Sequence, residues 1–162
     1  FLVLRAQQSG IPIAWVPLVM VAMNIVYAAT AYPFGKLSDR VRHGQLLIWG
    51  LVVLIAADLV LASQPQILAL LVGVALWGMH MGMTQGLLAK MVADTTPADL
   101  RGTAYGFFNL ICGLAMLIAS VLAGLLWEYF GAAWTFVAGA GFCLLTLGLL
   151  KAFHSRPETF QP

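Results

Sequence analysis

The sequence predicts an all-α fold, a polytopic bundle of transmembrane helices. Three observations carry that expectation. Charged residues make up 9% of the 162-residue chain, against about 25% in soluble domains. Hydrophobic residues reach 62%, and mean hydropathy is +0.94. The apolar residues also lie in continuous runs of about 20, the length of helix that crosses roughly 30 Å of hydrocarbon. A membrane β-barrel would instead alternate apolar and polar residues in short segments.

Phe1–Ala6 reads as the end of a helix whose beginning is missing. The chain opens in apolar residues without a Met, as a cut through a larger protein would. Gln7-Gln8-Ser9-Gly10 is a turn. The first full span is expected over about Ile11–Pro33, with Pro12 near its start and Pro17 in its first turns. A polar loop follows, Gly35-Lys36-Leu37-Ser38-Asp39-Arg40-Val41-Arg42-His43-Gly44, which must lie in water. The second span is expected over Gln45–Ser63, then a turn at Gln64-Pro65-Gln66. The third is expected over Ile67–Ala89, followed by a longer polar connection, Lys90–Gly102. The fourth covers Thr103–Trp127, Glu128–Gly131 turns the chain, and the fifth covers Ala132–Leu150. Residues 1–152 thus form one helical membrane domain of five complete helices and a truncated first one. Residues 153–162 form a polar cytoplasmic tail.

Loop charges set the expected orientation. With the polar loop inside, all of the 8 Lys and Arg residues except Arg5 fall on the cytoplasmic side. That is a strong positive-inside bias, and it puts the C-terminus in the cytoplasm. Trp15, Trp127, Tyr129 and Trp134 then fall near the outer interface and Trp49 near the inner one, as aromatic belts do. Trp77 stands apart, near the middle of its span.

At about 100° per residue, polar residues can be assigned to helix faces. In the third span Trp77, His80 and Thr84 share a narrow arc. Gly78, Gly82 and Gly86 repeat every four residues on another face, where a second helix can approach closely. The expectation is one face for packing and one for water or ligand, with Gln85 between them. In the fourth span Tyr105, Asn109, Cys112, Gly113, Met116 and Ser120 share a face. Phe107, Ile111, Leu114 and Ile118 lie roughly opposite and suit lipid. In the first span Asn24 and Tyr27 share a face with Met20 and Ala31. The second and fifth spans are nearly apolar apart from Asp58, Thr135 and Thr146. Three spans are therefore expected to line a cavity, and two to lie on the lipid side.

The candidate cavity residues are Asn24, Tyr27, Trp77, His80, Thr84, Gln85 and Asn109. Several have a plainer reading as well. The two asparagines can bond neighbouring helices, and Trp77 can be core. His80, the one histidine at membrane depth, can handle solute or proton or sit as a neutral hydrogen-bonded ring. Asp58, about a turn from the outer end of its span, reads as snorkelling or bonding a neighbouring helix. Cys112 and Cys143 lie inside apolar runs without metal-ligand spacing. No catalytic Ser, His and Asp group recurs, no HExxH or phosphate-cradling loop appears, and no basic cluster with interleaved aromatics suits nucleic acid. No enzyme activity, cofactor or metal is expected.

The polar loop carries a sharper signal. Gly35-x-Leu37-Ser38-Asp39-Arg40 between two spans resembles the loop motif of the major facilitator superfamily, roughly G-x-L-[AS]-D-R-x-G-R-[RK]. The second half departs from it: Arg42 stands at the Gly position, His43 at an Arg, and Gly44 at an Arg or Lys. Arg101-Gly102-Thr103-Ala104-Tyr105-Gly106, with Asn109 and Gly113 after it, is similar to a segment of bacterial members. So is Gly82-Met83-Thr84-Gln85-Gly86, although relatives often carry Glu at the position of Gln85. The whole chain resembles the C-terminal six-helix half of a twelve-helix transporter.

That resemblance implies a function. Two such halves rock about a central site and expose it alternately to each side. The partners implied are the lipid bilayer, a small solute, a coupling proton, and the missing N-terminal half, in a bacterial inner membrane. It implies a conformational latch of Gly35, Asp39, Arg40 and Arg101. Asp39 would accept hydrogen bonds from the helix N-terminus near Arg101–Tyr105, where the dipole favours negative charge. Arg40 would pair with Asp94 or Asp99. The competing reading is a non-transporting scaffold or receptor-like module on the same fold.

Overall fold

The computed structural model describes residues 1–63 and 65–154, with side chains through residue 152. Among the described residues six α-helices follow one another, and no strand occurs. They are α1 (Leu2–Gln8), α2 (Val16–Ser38), α3 (His43–Ala62), α4 (Ile67–Asp94), α5 (Arg101–Phe130) and α6 (Ala132–His154). Short 3₁₀ turns at Ile13–Trp15 and Ala98–Leu100 lead into α2 and α5. Five of these helices are long and apolar enough to cross a membrane.

α3, α4, α5 and α6 are longer than the expected spans, chiefly at the end that carries most of the Lys and Arg residues, while α2 keeps the expected length of 23 residues but starts and ends later. α2 continues through Pro33 to Ser38, because the ring removes one N–H while later residues still bond within the helix. Gly35–Ser38 is therefore helical, and His43 and Gly44 already belong to α3. The expected polar loop shrinks to Asp39–Arg42. α4 likewise runs to Asp94, so Lys90 is a helix residue rather than the first of a connection. A single residue, Gly131, joins α5 to α6. Its φ of +89° is one that a side chain would disfavour. The residues expected as a cytoplasmic tail lie outside the described residues from 155 onward. The backbone of 153 and 154 continues α6. Gln64, expected in a turn, also lies outside the described residues.

α4 is the hub. It packs on α2 along one side and on α3 along another, and α3 in turn packs on α6. Gly78 and Gly82 make the α2 contact possible. A Cβ on Gly78 would stand 2.5 Å from the Met23 carbonyl oxygen, and one on Gly82 would collide with the Thr30 hydroxyl. The absence of both side chains lets the two backbones approach closely, which is how helices associate in lipid. Gly86, the third of the series, has open space around it and does not join the contact. Gly73 does the same service toward α3, beneath Leu61.

One core joins α1, α2, α3, α4 and α6 through Leu2, Val16, Met23, Leu61, Leu70 and Phe136. A second, smaller cluster of Leu46, Met83 and Leu87 ties α3 to α4 toward the Asp39–Arg42 turn. α3, expected on the lipid side, keeps Trp49, Val52 and Leu59 exposed while its other face packs. α3 is flanked by α4 and α6 and buries Leu46, Gly50, Ala57, Asp58 and Leu61. α5 is the exception to the packing: none of its residues is buried, and it leans mainly on α6.

Candidate functional site

Two regions carry the polar chemistry, the Asp39–Arg42 turn and the polar faces of α2, α4 and α5. At the turn, Ser38 ends α2 with its hydroxyl donating to the Gly35 carbonyl at 2.7 Å. This tethers the chain where it leaves the helix. Asp39 then meets Lys90, whose Nζ lies 2.5 Å from Oδ1 and also donates to the Ser38 carbonyl at 3.3 Å. Lys90 holds the Asp39 carboxyl below its ordinary range, by hydrogen bond first and by charge second. The turn is thus pinned to the last part of α4. His43 Nε2 faces Asp94 Oδ2 at 3.8 Å, a second link from the start of α3 to the end of α4.

These partners differ from the expected ones. Asp39 pairs with a side chain of α4, not with the N-terminus of α5. Asp94 faces His43, and Arg40 has no ion pair among the described residues. Arg101 opens α5 and is exposed. Gly35 is exposed too, and a side chain there would meet nothing. The reason is the extra length of α4, which brings Lys90 alongside the end of α2. The α5 N-terminus is instead tied to α4 by Tyr105, whose hydroxyl donates to the Ala89 carbonyl at 2.8 Å.

The seven cavity candidates do not converge on one site. His80 and Thr84 turn toward α3. His80 Nδ1 donates to the Gly50 carbonyl at 2.8 Å, and because a carbonyl only accepts, Nδ1 carries the proton and a neutral ring leaves Nε2 as acceptor. Thr84 is buried and donates to the His80 carbonyl at 2.8 Å, and its methyl occupies the space where Gly50 has no Cβ. The α4 face expected for water or ligand is therefore a second packing face. Its apparent polarity is satisfied within α4 and against α3. Trp77 packs on the main core and reaches toward α3 and α6.

The other four lie on or near open surfaces. Asn24 is exposed and donates to the Met20 carbonyl of its own helix at 2.7 Å. Tyr27 is half-buried beside Gly78, where an added Cβ would stand 3.3 Å from its backbone nitrogen. Gln85 and Asn109 are exposed. The bond that joins two of the seven, from Thr84 to His80, lies within a single helix.

On α5 residues of both expected faces stand exposed, and Ile118, expected to face lipid, lines a cavity instead. Ile118, with Ala115, Ala119 and Leu122, turns toward α3, α4 and α6 across a cavity of about 490 Å³. Asn109, Met116 and Ser120 stand exposed and contribute nothing to that lining. Two residues carry more than their sequence positions announced. Lys90 reads as a loop charge until its place on α4 is known. Asp58 is 3% exposed and lines the cavity, where a side chain on Gly139 of α6 would stand 2.6 Å from its Oδ2. The sequence signal for it was an acid within an otherwise apolar run.

The family model described as Major Facilitator Superfamily matches residues 2–161. An uncharacterized MFS-type transporter of Methanocaldococcus jannaschii is 32% identical over 94% of this chain and 39% of its own length. A probable metabolite transport protein of Bacillus subtilis is 31% identical over 85% of this chain and 31% of its own. A probable sugar efflux transporter of Pasteurella multocida is 30% identical over 92% and 36% respectively. The chain therefore spans well under half the length of these curated relatives. No solved structure gives a significant match.

Proposed function

The chain belongs to the major facilitator superfamily, and from that premise we propose that it is one half of a secondary active transporter. It moves a small solute by alternating access, together with an N-terminal six-helix half. The membrane is a bacterial inner membrane, and the Asp39–Arg42 turn and the C-terminus face the cytoplasm, as the distribution of Lys and Arg supports. Proton coupling belongs to the same reading.

One observation carries the proposal. α5 is a 30-residue apolar helix with no buried residue, and its Asn109 and Ser120 stand exposed, outside the lining of the cavity. An amide and a hydroxyl are unfavourable against hydrocarbon, so a face that bears them suits protein or water. A second half placed there encloses a path bounded by α5, and Asn24 and Tyr27 of α2 and Gln85 of α4 supply further polar groups to it. The solute class favoured is a modest organic molecule, since these residues offer amides and a phenol without a cluster of charge.

The test uses the complete transporter in proteoliposomes, with Cys112 and Cys143 replaced by Ser. Asn24→Cys and Asn109→Cys are then labelled with a membrane-impermeant maleimide from each side in turn. The reading expects both to be labelled, with the preferred side changing when a pH gradient is imposed. Labelling of neither from either side would place both in lipid and overturn the solute path.

A further inference from the structure

Arg42, His43 and Gly44 do not belong to the Asp39–Lys90 pair, and they are the residues that depart from the family motif. The structure places them opposite the end of α6. With Ile48, Leu150 and Lys151 they border a groove of about 860 Å³ between the first turns of α3 and the last turns of α6. The groove straddles the edge of the apolar span on both helices. In α3, Arg42-His43-Gly44-Gln45 gives way to Leu46-Leu47-Ile48-Trp49, and in α6 Leu149-Leu150 gives way to Lys151. Trp49 is 63% exposed and lies about 9 Å beyond the start of α3, at 1.5 Å per residue. An exposed Trp at that depth suits a membrane interface. The groove therefore lies at headgroup level, with Ile48 and Leu150 on its hydrocarbon side.

Charge selects the occupant. Arg42 and Lys151 are exposed at the mouth, one at the start of α3 and one near the end of α6, and no acid is among the described residues of the lining. Asp94, the acid that His43 faces, belongs to α4 and stays outside it. The start of α3 adds partial positive charge, and Gly44 leaves the backbone there uncovered. A phosphate group answers such a set with charge-assisted hydrogen bonds. It could come from a free anion or from the headgroup of an anionic phospholipid, and the apolar side decides. Ile48 and Leu150 give nothing to a free anion, but they pack against the glycerol and first acyl carbons of a lipid. Deeper in the span, Val52 of α3 and Leu145 and Leu149 of α6 stand exposed at the depth where acyl chains run. Basic pockets between membrane helices near the surface hold anionic headgroups in this way.

We propose that this groove binds the headgroup of an anionic phospholipid, with Arg42 and Lys151 on its phosphate and Ile48 and Leu150 against its glycerol. It is separate from the exposed faces of α2, α4 and α5 on which the solute path rests. The site requires only that this end of the bundle meet a membrane surface, and its test reads lipid binding rather than transport.

The experiment is photo-crosslinking of the complete transporter in phosphatidylcholine nanodiscs. A photoactivatable phosphatidylglycerol is compared with the matching phosphatidylcholine, and the label is read on the peptides that hold the start of α3 and the end of α6. Phosphatidylglycerol is expected to label them at least about tenfold more, since each cation near a membrane surface contributes roughly fivefold. Arg42→Gln combined with Lys151→Gln should reduce that excess to about twofold or less. Lys36→Gln, which removes a charge at the same end but outside the lining, should leave it within a factor of about two. Gly44→Asp puts a carboxylate where a side chain meets open space and where a helix start favours an acid. It should reduce the excess as strongly, and it decides the matter should the double variant fail to fold. Exchange of chloride for inorganic phosphate at equal ionic strength should change nothing. Equal labelling by the two lipids in the unaltered protein would overturn the proposal. So would an unchanged excess in a folded double variant or in folded Gly44→Asp, or an equal loss in Lys36→Gln. Displacement by inorganic phosphate would assign the groove to a free anion and overturn it as well.

Discussion

Lys90 Nζ lies 2.5 Å from Asp39 Oδ1, which ties the turn after α2 to the Asp94 end of α4. The same ammonium group caps the carbonyl of Ser38, so one side chain holds both the last residue of α2 and the first residue beyond it. An ion pair on a free surface contributes little, because water competes and two side chains must be ordered. Here its consequence is positional: it fixes the relation of two long helices at one end, where a rocking motion would have to break or keep it.

Replacing either partner should therefore change rate more than yield. Asp39→Asn and Lys90→Ala are each expected to lower transport by the complete protein several-fold while surface expression persists. The exchanged pair, Asp39→Lys with Lys90→Asp, should recover part of the loss. Transport assays with quantified expression check this. Unchanged rates in both single variants would show that the pair only anchors the turn.

The pH dependence of this contact has a definite sign. Lys90 lowers the Asp39 carboxyl below its ordinary value of 3.8, so the charged form is favoured when folded. The contribution is present above the ordinary value and disappears as pH falls through the lowered one. Between about pH 5 and 8 the Asp39 carboxyl should therefore stay charged. Any pH dependence of transport in that window should consequently survive in Asp39→Asn. Its disappearance in that variant would count against this assignment.

Gly78 and Gly82 should tolerate no enlargement. Gly78→Leu forces the Met23 backbone away, and overpacking of this kind costs about 1–3 kcal/mol or more. Gly86→Leu meets open space and should have a much smaller effect on folding of this half. Thermal unfolding of the purified variants in one detergent measures the difference. Equal losses at positions 78 and 86 would contradict the observed α2 contact.

His80 is expected to act through stability. Its bond to the Gly50 carbonyl crosses from α4 to α3, and such bonds in membranes contribute about 0.6 kcal/mol on average. His80→Asn, which keeps a donor, should retain most of the melting temperature, and His80→Ala should lose more. Neither should alter the solute concentration for half-maximal transport. A large change in that concentration would return His80 to the solute path.

Tyr105→Phe removes a single bond, to the Ala89 carbonyl, which links the start of α5 to α4. The loss should be about 0.5–1.5 kcal/mol. Because α5 has few other contacts with α4, the effect should show as faster hydrogen exchange at the first turns of α5. Exchange spread evenly through all the helices would mean that the bond is not a local tether.

The helices and their order were legible because the membrane imposes a length and a composition on every span, and both are properties of contiguous sequence. The motif residues were legible for a different reason: their type and spacing are local. Helix ends were less so. Nothing in the composition of Gly35–Ser38 or Lys90–Asp94 distinguishes a helix that projects beyond the apolar run from a loop. α2 and α4 run on because their backbone bonds continue and because the ends brace each other through Lys90 and Asp39.

Sequence by itself determined that this chain is a bundle of membrane helices of the major facilitator superfamily, with Gly78 and Gly82 placed for close contact. Periodicity marked which residues share a face, but a face has no address until its neighbour is known. Tertiary structure decided that the arc of His80 and Thr84 looks onto Gly50, that Asp39 meets Lys90, and that Asp58 opens on a cavity walled by other helices. The physical reason is that hydrogen bonds, ion pairs and cavities join residues dozens of positions apart, so they depend on which helix lies beside which. That arrangement follows from glycine contacts and side-chain volumes acting together, and no single stretch of sequence contains it.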